Sequence, residues 1–261
     1  MDLKTNLEWR EWGRRDPLFG VANCEGKDAG GVAPWTDGEF YALGASDWQD
    51  FNEHWRRYGY APGTFVEIGC GAGRITRQLA AVFVSGYALD VSEDMIRYAA
   101  SRVVTPNVAW RLTQGLSIPV EDSSVDGVFS CHVFQHLPSA EAGRGYFREI
   151  MRALKPGGTL MVHLPIHIFP TMVSQKFASL CEFLYGFLLP MLNMKSRCKR
   201  FLMSHGGRPP MHGVSYEQER LYRAMLGMGF VRVEFETFPV ASNGTLHSFV
   251  FATKPGAPRT K

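Results

Sequence analysis

The run Phe65-Val66-Glu67-Ile68-Gly69-Cys70-Gly71-Ala72-Gly73-Arg74 constrains the fold more than any other stretch of the chain. A short apolar strand, Phe65–Ile68, leads straight into glycines at alternate positions, and a helical pattern follows over Ile75–Phe83. Glycine in such a turn permits positive φ and lets a ligand approach the backbone closely. The same rhythm continues to residue 165. Tyr87–Leu89 reads as a second strand ending at Asp90. Ser92 is placed to cap a helix over Met95–Arg102, with Glu93 and Asp94 in its first turn. Strands at Val108–Leu112 and Val125–Ser130, a helix at Glu141–Leu154 and a strand at Thr159–Leu164 follow. Strands that alternate with helices predict an α/β fold whose mostly parallel sheet is wound on both faces.

The flanks differ in texture. Residues 1–60 are rich in aromatics and are expected to form an N-terminal cap, with a loop over Gly20–Asp37 and a helix over Trp48–Tyr58. Residues 61–261 form the main domain. Within it, 166–213 break the rhythm and are expected to be a helical lid inserted on the substrate side. A helix at Tyr216–Met228 and strands at Val231–Thr237 and His247–Thr253 complete the chain. The Asn243-Gly244 turn makes those two strands antiparallel, for a total of seven.

Composition excludes several classes. The chain has 261 residues, enough for one sizeable α/β domain with elaborations. A net charge of +3 is too small for a surface built mainly to neutralise phosphates, so no nucleic-acid partner is expected. The five cysteines have no CxxC spacing, which argues against a disulfide framework and a structural zinc site. The N-terminus is charged and lacks an apolar core, so it does not read as a secretory signal, and the expected location is cytoplasmic. The most apolar stretch, Phe177–Leu192, falls short of the roughly 20 residues a membrane span needs. It suits a lid over an apolar substrate. A dimer contact explains the same composition, so monomer and homodimer both stay open, and a membrane-surface element is a third reading.

The loop reads GxGxG, one residue shorter than the GxGxxG of dinucleotide-binding dehydrogenases. Glu67 precedes it, and a carboxylate there suits a cationic ligand better than a pyrophosphate. Asp90 ends the next strand, where its carboxylate can accept from both hydroxyls of a ribose. The ordered runs VEIGCGAGR, ALDVSEDMI, DSSVDGVFS and LKPGG resemble the class I S-adenosylmethionine-dependent methyltransferase family, above all its small-molecule members. That resemblance implies a Rossmann-like fold and S-adenosylmethionine as cofactor. Gly69, Cys70, Gly71, Gly73 and Arg74 would form the loop around its methionine part and ribose. Glu67 would sit near its amino-acid end, Asp90 on the ribose, and Val91 and Met95 on the adenine. Where the family usually places an acidic residue toward the adenine amine, this chain has Gln114, Gly115 and Leu116, so Gln114 or a backbone group is expected to take its place.

Cys131 opens the turn after the fourth strand and is expected to contact the cofactor on the side of its transferable methyl. A hydroxyl acceptor benefits from a general base, and histidine titrates in the right range. His136 is the first candidate base and His132 the second. Their spacing, repeated by His163 and His167, is that of a metal pair on a helix, but no acidic third ligand lies nearby and no metal is expected. Gln135, His163 and His167 are expected to face the substrate. Most of the N-terminal aromatics are expected to form a satellite core that docks a helix on the sheet, with Trp9, Trp12, Phe19 and Tyr41 as candidates for the pocket wall. The expected activity is methyl transfer to an O or N atom of a small, apolar or aromatic molecule. The alternatives are a nucleic-acid methyltransferase and a nicotinamide-dependent oxidoreductase.

Overall fold

The computed structural model describes residues 4–22, 26–28, 32–168 and 213–256. The chain divides into two compact units, one made of residues 1–166 and 211–261, the other of 167–210. The aromatic N-terminal segment thus belongs to the same unit as the sheet. The lid expected over 166–213 falls almost wholly outside the described residues.

Among the described residues three helices precede the sheet. α1 (Lys4–Arg15) is followed by α2 (Pro17–Val21), which Asp16 caps by accepting from the Phe19 N–H at 3.0 Å. Pro17 suits the first turn, where its missing N–H has no helical partner to lose. α2 thus runs into the tract expected to be loop. α3 (Asp37–Tyr58) begins at a reciprocal cap: Thr36 accepts from the Glu39 N–H, and Glu39 accepts from the Thr36 N–H. It is 22 residues long, twice the expected helix, because its buried stripe extends back through Asp47, Gly44, Tyr41 and Phe40.

The main elements that follow among the described residues mostly alternate strand and helix. They are β1 (Thr64–Ile68), α4 (Thr76–Val82), β2 (Ser85–Asp90), α5 (Glu93–Arg102), β3 (Val108–Leu112), β4 (Val125–Ser130), α6 (Ala140–Ala153), β5 (Leu154–His163), α7 (Gln218–Gly227), β6 (Val231–Pro239) and β7 (Leu246–Thr253). Ser92 caps α5 as expected, accepting from the Met95 N–H. β5 starts at Leu154 rather than Thr159. Lys155–Gly158 continues the strand past a register shift opposite Val125–Gly127, with Gly157 at φ 84° and Lys155 Nζ paired to Asp126 at 2.7 Å.

The seven strands lie in the order β3-β2-β1-β4-β5-β7-β6. The four pairings from β3 to β5 are parallel, and β7 runs antiparallel to both β5 and β6. Alternate residues of each strand feed opposite cores. Val66, Val128, Leu160, Val162 and Val250 face α6 and α7. Phe65, Phe129, Met161, Phe249 and Phe251 face α3 and α4. Strand order reverses between β1 and β4, and such a switch point opens a crevice at the carboxyl ends of the strands. Among the described residues no helix is long and apolar enough to cross a membrane.

Candidate active site

One cavity of about 450 Å³ opens at that switch point. Its floor is the turn after β1. Gly69, Gly71 and Gly73 have φ of 73°, 49° and 82°, the left-handed region that side chains with a Cβ seldom adopt. A Cβ on Gly69 would overlap Val133, and one on Gly71 would overlap Val21 of α2. Gly69 and Cys70 donate their N–H groups to Leu89 O at 2.8 and 2.9 Å, which ties the turn to β2.

Asp90 ends β2 beside this turn and lines the cavity. Its Oδ2 accepts from the Gly71 N–H and its Oδ1 from the Ser92 N–H, both at 2.9 Å. Burial raises its pKa, and the N–H groups of Ser92, Gly71 and Val91 oppose that rise. Glu67 is also buried and accepts from Thr76 Oγ1. Burial outweighs that bond and the positive charge of Arg74, and pushes its pKa up to about 8. A cationic group in the cavity would reverse the balance.

Arg74 follows the last glycine. Its guanidinium pairs with Asp47 of α3, and both groups are buried. Ser242 donates to the same carboxylate. Gly44 makes this packing feasible, since a Cβ there would lie 2.7 Å from Arg74 O. Leaving one charge of such a buried pair alone costs about 3–5 kcal/mol. Arg74 therefore clamps α3 to the glycine turn and lines the cavity at the same time.

Val91, Met95 and Thr113 line the adenine side implied by the resemblance. Gln114 does not line the cavity. Its carbonyl accepts from Asn6 Nδ2 at 3.2 Å, while Thr113 donates its N–H to Asp90 O at 2.8 Å. Gly115 and Leu116 also lie off the cavity wall, with Leu116 packed on the core beside α6. Gly73 is likewise a packing position, facing Trp110, Val103 and Ala99. α1 covers this side, and Arg10 Nε donates to Val91 O at 3.1 Å.

The opposite wall comes from the turn after β4. Ser130 Oγ donates to Ile68 O at 3.0 Å, joining this turn to the first. Cys131, His132, Val133, Gln135 and His136 then line the cavity. His132 has φ 60°, and its N–H donates to His163 Nδ1 at 3.3 Å. Residues Phe134–His136 form a single 3₁₀ turn, held by Tyr216 Oη donating to Phe134 O at 2.9 Å. Gln135 Nε2 donates to His136 Nε2 at 2.9 Å, which marks that ring nitrogen as the acceptor. The Trp9 ring of α1 meets the His136 ring edge-on at 4.9 Å.

His163, at the end of β5, packs beneath His132 and His247 of β7, with ring centroids 4.5–5.0 Å apart. Burial lowers the pKa of all three, and neighbouring histidines lower those of His132 and His163 further, His163 to about 3. Burial also raises the thiols of Cys70 and Cys131. The fold thus pairs His132 with His163 rather than with His136 and His163 with His167. His167 opens the second compact unit.

Trp12, Phe19 and Tyr41, candidates for the wall, are buried in packing clusters instead and do not line the cavity. Trp12 and Phe19 pack with Met95, and Tyr41 Oη donates to Ala72 O at 2.9 Å beneath the glycine turn. Leu43, Asp47, Ile75, Tyr146, Asn243, Thr245 and His247 line the cavity without having been singled out. Asp47 carries a readable signal: it is a charge set on the apolar stripe of α3, which calls for a buried partner.

Residues 66–162 match the family described as methyltransferase domain. The fold is that of the S-adenosylmethionine-dependent methyltransferases, and residues 66–162 carry the methyltransferase domain. Over 113 residues, 41% of this chain, the sequence is 36% identical to phosphoethanolamine N-methyltransferase 2 of Caenorhabditis elegans, covering 25% of that protein. Over 116 residues, 42% of this chain, it is 32% identical to demethylmenaquinone methyltransferase of Tropheryma whipplei, covering 47% of it. The matched stretch thus spans less than half the length of either methyltransferase. The solved structure of Haemonchus contortus phosphoethanolamine N-methyltransferase 1 superposes with a TM-score of 0.61 at 16% identity, over 99% of this chain and 50% of that one.

Proposed function

We propose that this chain is an S-adenosylmethionine-dependent methyltransferase acting on an O or N atom of a small molecule with an apolar or aromatic body. The observation that carries this reading is the convergence of Glu67, Asp90 and the histidine-bearing turn on one cavity. The residues present fit the cofactor. The glycine turn is a cradle without Cβ atoms, Glu67 suits an ammonium group, and Asp90 keeps oxygens at the cavity surface for ribose hydroxyls. Val91 and Met95 offer apolar contact to the adenine. Bound there, the cofactor supplies a methyl group on an electrophilic sulfonium.

The chain's own residues do the rest. Such a displacement needs alignment and the exclusion of water more than it needs covalent help. α1 and α2 close one side of the cavity through Trp9 and Val21. His136 accepts the proton that the acceptor loses. Its Nε2 faces the Gln135 amide, and an acceptor hydroxyl that displaces that amide meets the same lone pair. His132 is the poorer base, because burial and His163 hold down its affinity for a proton. Gln135 belongs to the acceptor's surroundings, while His163, expected there, lies off the cavity wall behind His132.

The size and walls of the cavity support a small acceptor. About 450 Å³ is near the lower end of small-molecule sites, which span roughly 300–1,000 Å³, and cofactor and acceptor share it. Trp9, Leu43, Ile75, Val133 and Tyr146 give it apolar faces. The test is calorimetric titration with S-adenosylmethionine and with NADH, followed by transfer of labelled methyl to a metabolite extract and to total RNA. Binding of S-adenosylmethionine with label in the small-molecule fraction is expected. Binding of NADH alone, or label confined to RNA, overturns the reading.

A further inference from the structure

Cys131, His132 and His247 line one end of the cavity, and His163 packs against His132 behind its wall. Cys131, His132 and His163 each bring one ligand atom to within 4.8 Å of the others. The His247 ring lies 5.0 Å from both other imidazoles. His247 is 8% exposed, and its Nδ1 is buried with no hydrogen-bond partner among the described residues. A buried polar atom without a partner is costly, and a ligand that uses its lone pair removes the cost.

From this geometry we infer a binding site for one divalent transition-metal ion, of the zinc or cobalt class, held by Cys131, His132 and His163 with His247 beside them. One thiolate and neutral imidazoles are the donors such ions prefer. Tetrahedral bonds of about 2.0–2.3 Å place the donor atoms roughly 3.4–3.8 Å apart, so side-chain shifts of about 1 Å close the site. His132 already holds an uncommon left-handed conformation, which turns its ring toward His163. The hydrogen bond from the His132 N–H to His163 Nδ1 is long at 3.3 Å, and the cation replaces it as the partner of that lone pair. On binding, the Cys131 thiol gives its proton to solvent and the sulfur binds as thiolate.

Cys131, His132 and His247 all line the cavity, so a further coordination position faces the space assigned to the methyl acceptor. An ion there would hold an acceptor hydroxyl and favour its deprotonation. That role rests on the methyltransferase reading; the existence of the site does not.

The test uses the full chain, stripped with a chelator and titrated with cobalt(II). One equivalent is expected to bind with a thiolate-to-cobalt charge-transfer band and the intense visible bands of tetrahedral cobalt. Cys131→Ser should abolish the charge-transfer band. His163→Ala and His247→Ala should each weaken binding at least tenfold, while His54→Ala, at a histidine outside the cavity, should leave it unchanged. Far-ultraviolet circular dichroism checks that each variant is folded, and zinc should raise the melting temperature of the natural protein but not of Cys131→Ser. No cobalt binding, or the same spectrum in folded Cys131→Ser, overturns the site. Titration with S-adenosylmethionine on the same samples separates the two ideas: cofactor binding without cobalt overturns only the metal site, and cobalt binding without cofactor overturns only the methyltransferase reading.

Discussion

The Asp90 carboxylate takes the Gly71 N–H at 2.9 Å on Oδ2, so the residue expected to hold the cofactor also holds the turn the cofactor rests on. Its other oxygen takes the Ser92 N–H at 2.9 Å, at the cap of α5. Both oxygens thus keep part of their acceptor capacity for a ligand while fixing two loops.

Asp90→Ala should therefore lower stability as well as affinity. Two buried N–H groups lose their acceptor, at about 1–3 kcal/mol each. Asp90→Asn keeps one acceptor oxygen and should fall between the two proteins. Thermal melting without ligand and calorimetry with S-adenosylhomocysteine read the two effects separately. An unchanged melting temperature in Asp90→Ala would contradict the structural role, and unchanged affinity would show that the cofactor binds elsewhere.

Glu67 should make cofactor binding pH-dependent. With a folded-state pKa near 8, it is mostly protonated at neutral pH without ligand. A cationic amino group favours the carboxylate, so binding below about pH 8 should release a proton. Calorimetry at pH 7 in buffers of different ionisation enthalpy measures that release. Stability carries the opposite sign. The unfolded group titrates near 4.5, so between pH 4.5 and about 8 the folded state holds the extra proton and stability falls as pH rises. Glu67→Gln should flatten that fall and abolish the proton release. Equal proton release in the variant would assign the proton to another group.

The sheet was legible because its signals are local. The β3 and β4 bounds match the expected ones, and Ser92 caps α5, since apolar runs and cap residues act over a few neighbours. The facing of aromatic residues was not legible. Trp9 and Trp12 lie on the same helix, yet only Trp9 reaches the cavity while Trp12 is buried. Residue type gives the drive to be buried, and the docking of α1 against α5 decides against what. The Asp47–Arg74 pair and the His132–His163–His247 group join elements far apart in the chain, so spacing along the sequence pointed to the wrong histidine pairs. The glycine turn was legible because its conformational demand is written in residue type.

His136→Ala should slow turnover and spare cofactor binding. Loss of a positioned general base costs about 10²–10⁴ in rate. His136 touches the cavity from the turn after β4, whereas Glu67, Asp90 and the glycines lie on its other side. Trp9→Phe keeps an edge against the ring and should have a small effect beside that of His136→Ala. Steady-state kcat with saturating acceptor, together with the dissociation constant for S-adenosylhomocysteine, checks this. Turnover at the natural rate in His136→Ala removes it as the base.

Gly69 and Val133 test whether the two turns around the cavity are packed as one unit. Gly69→Ala meets two costs. Its φ of 73° strains any residue with a Cβ by about 1–2 kcal/mol, and the new methyl overlaps the Val133 side chain, which adds about 1–3 kcal/mol. Val133→Ala removes the overlap but not the strain. The double variant should therefore be more stable than the sum of the single losses predicts, with the strain still visible. A double-mutant cycle by urea denaturation measures the coupling. Strict additivity would mean that the turns move apart to admit the methyl, and the cavity would then be defined by two independent loops rather than by one locked contact.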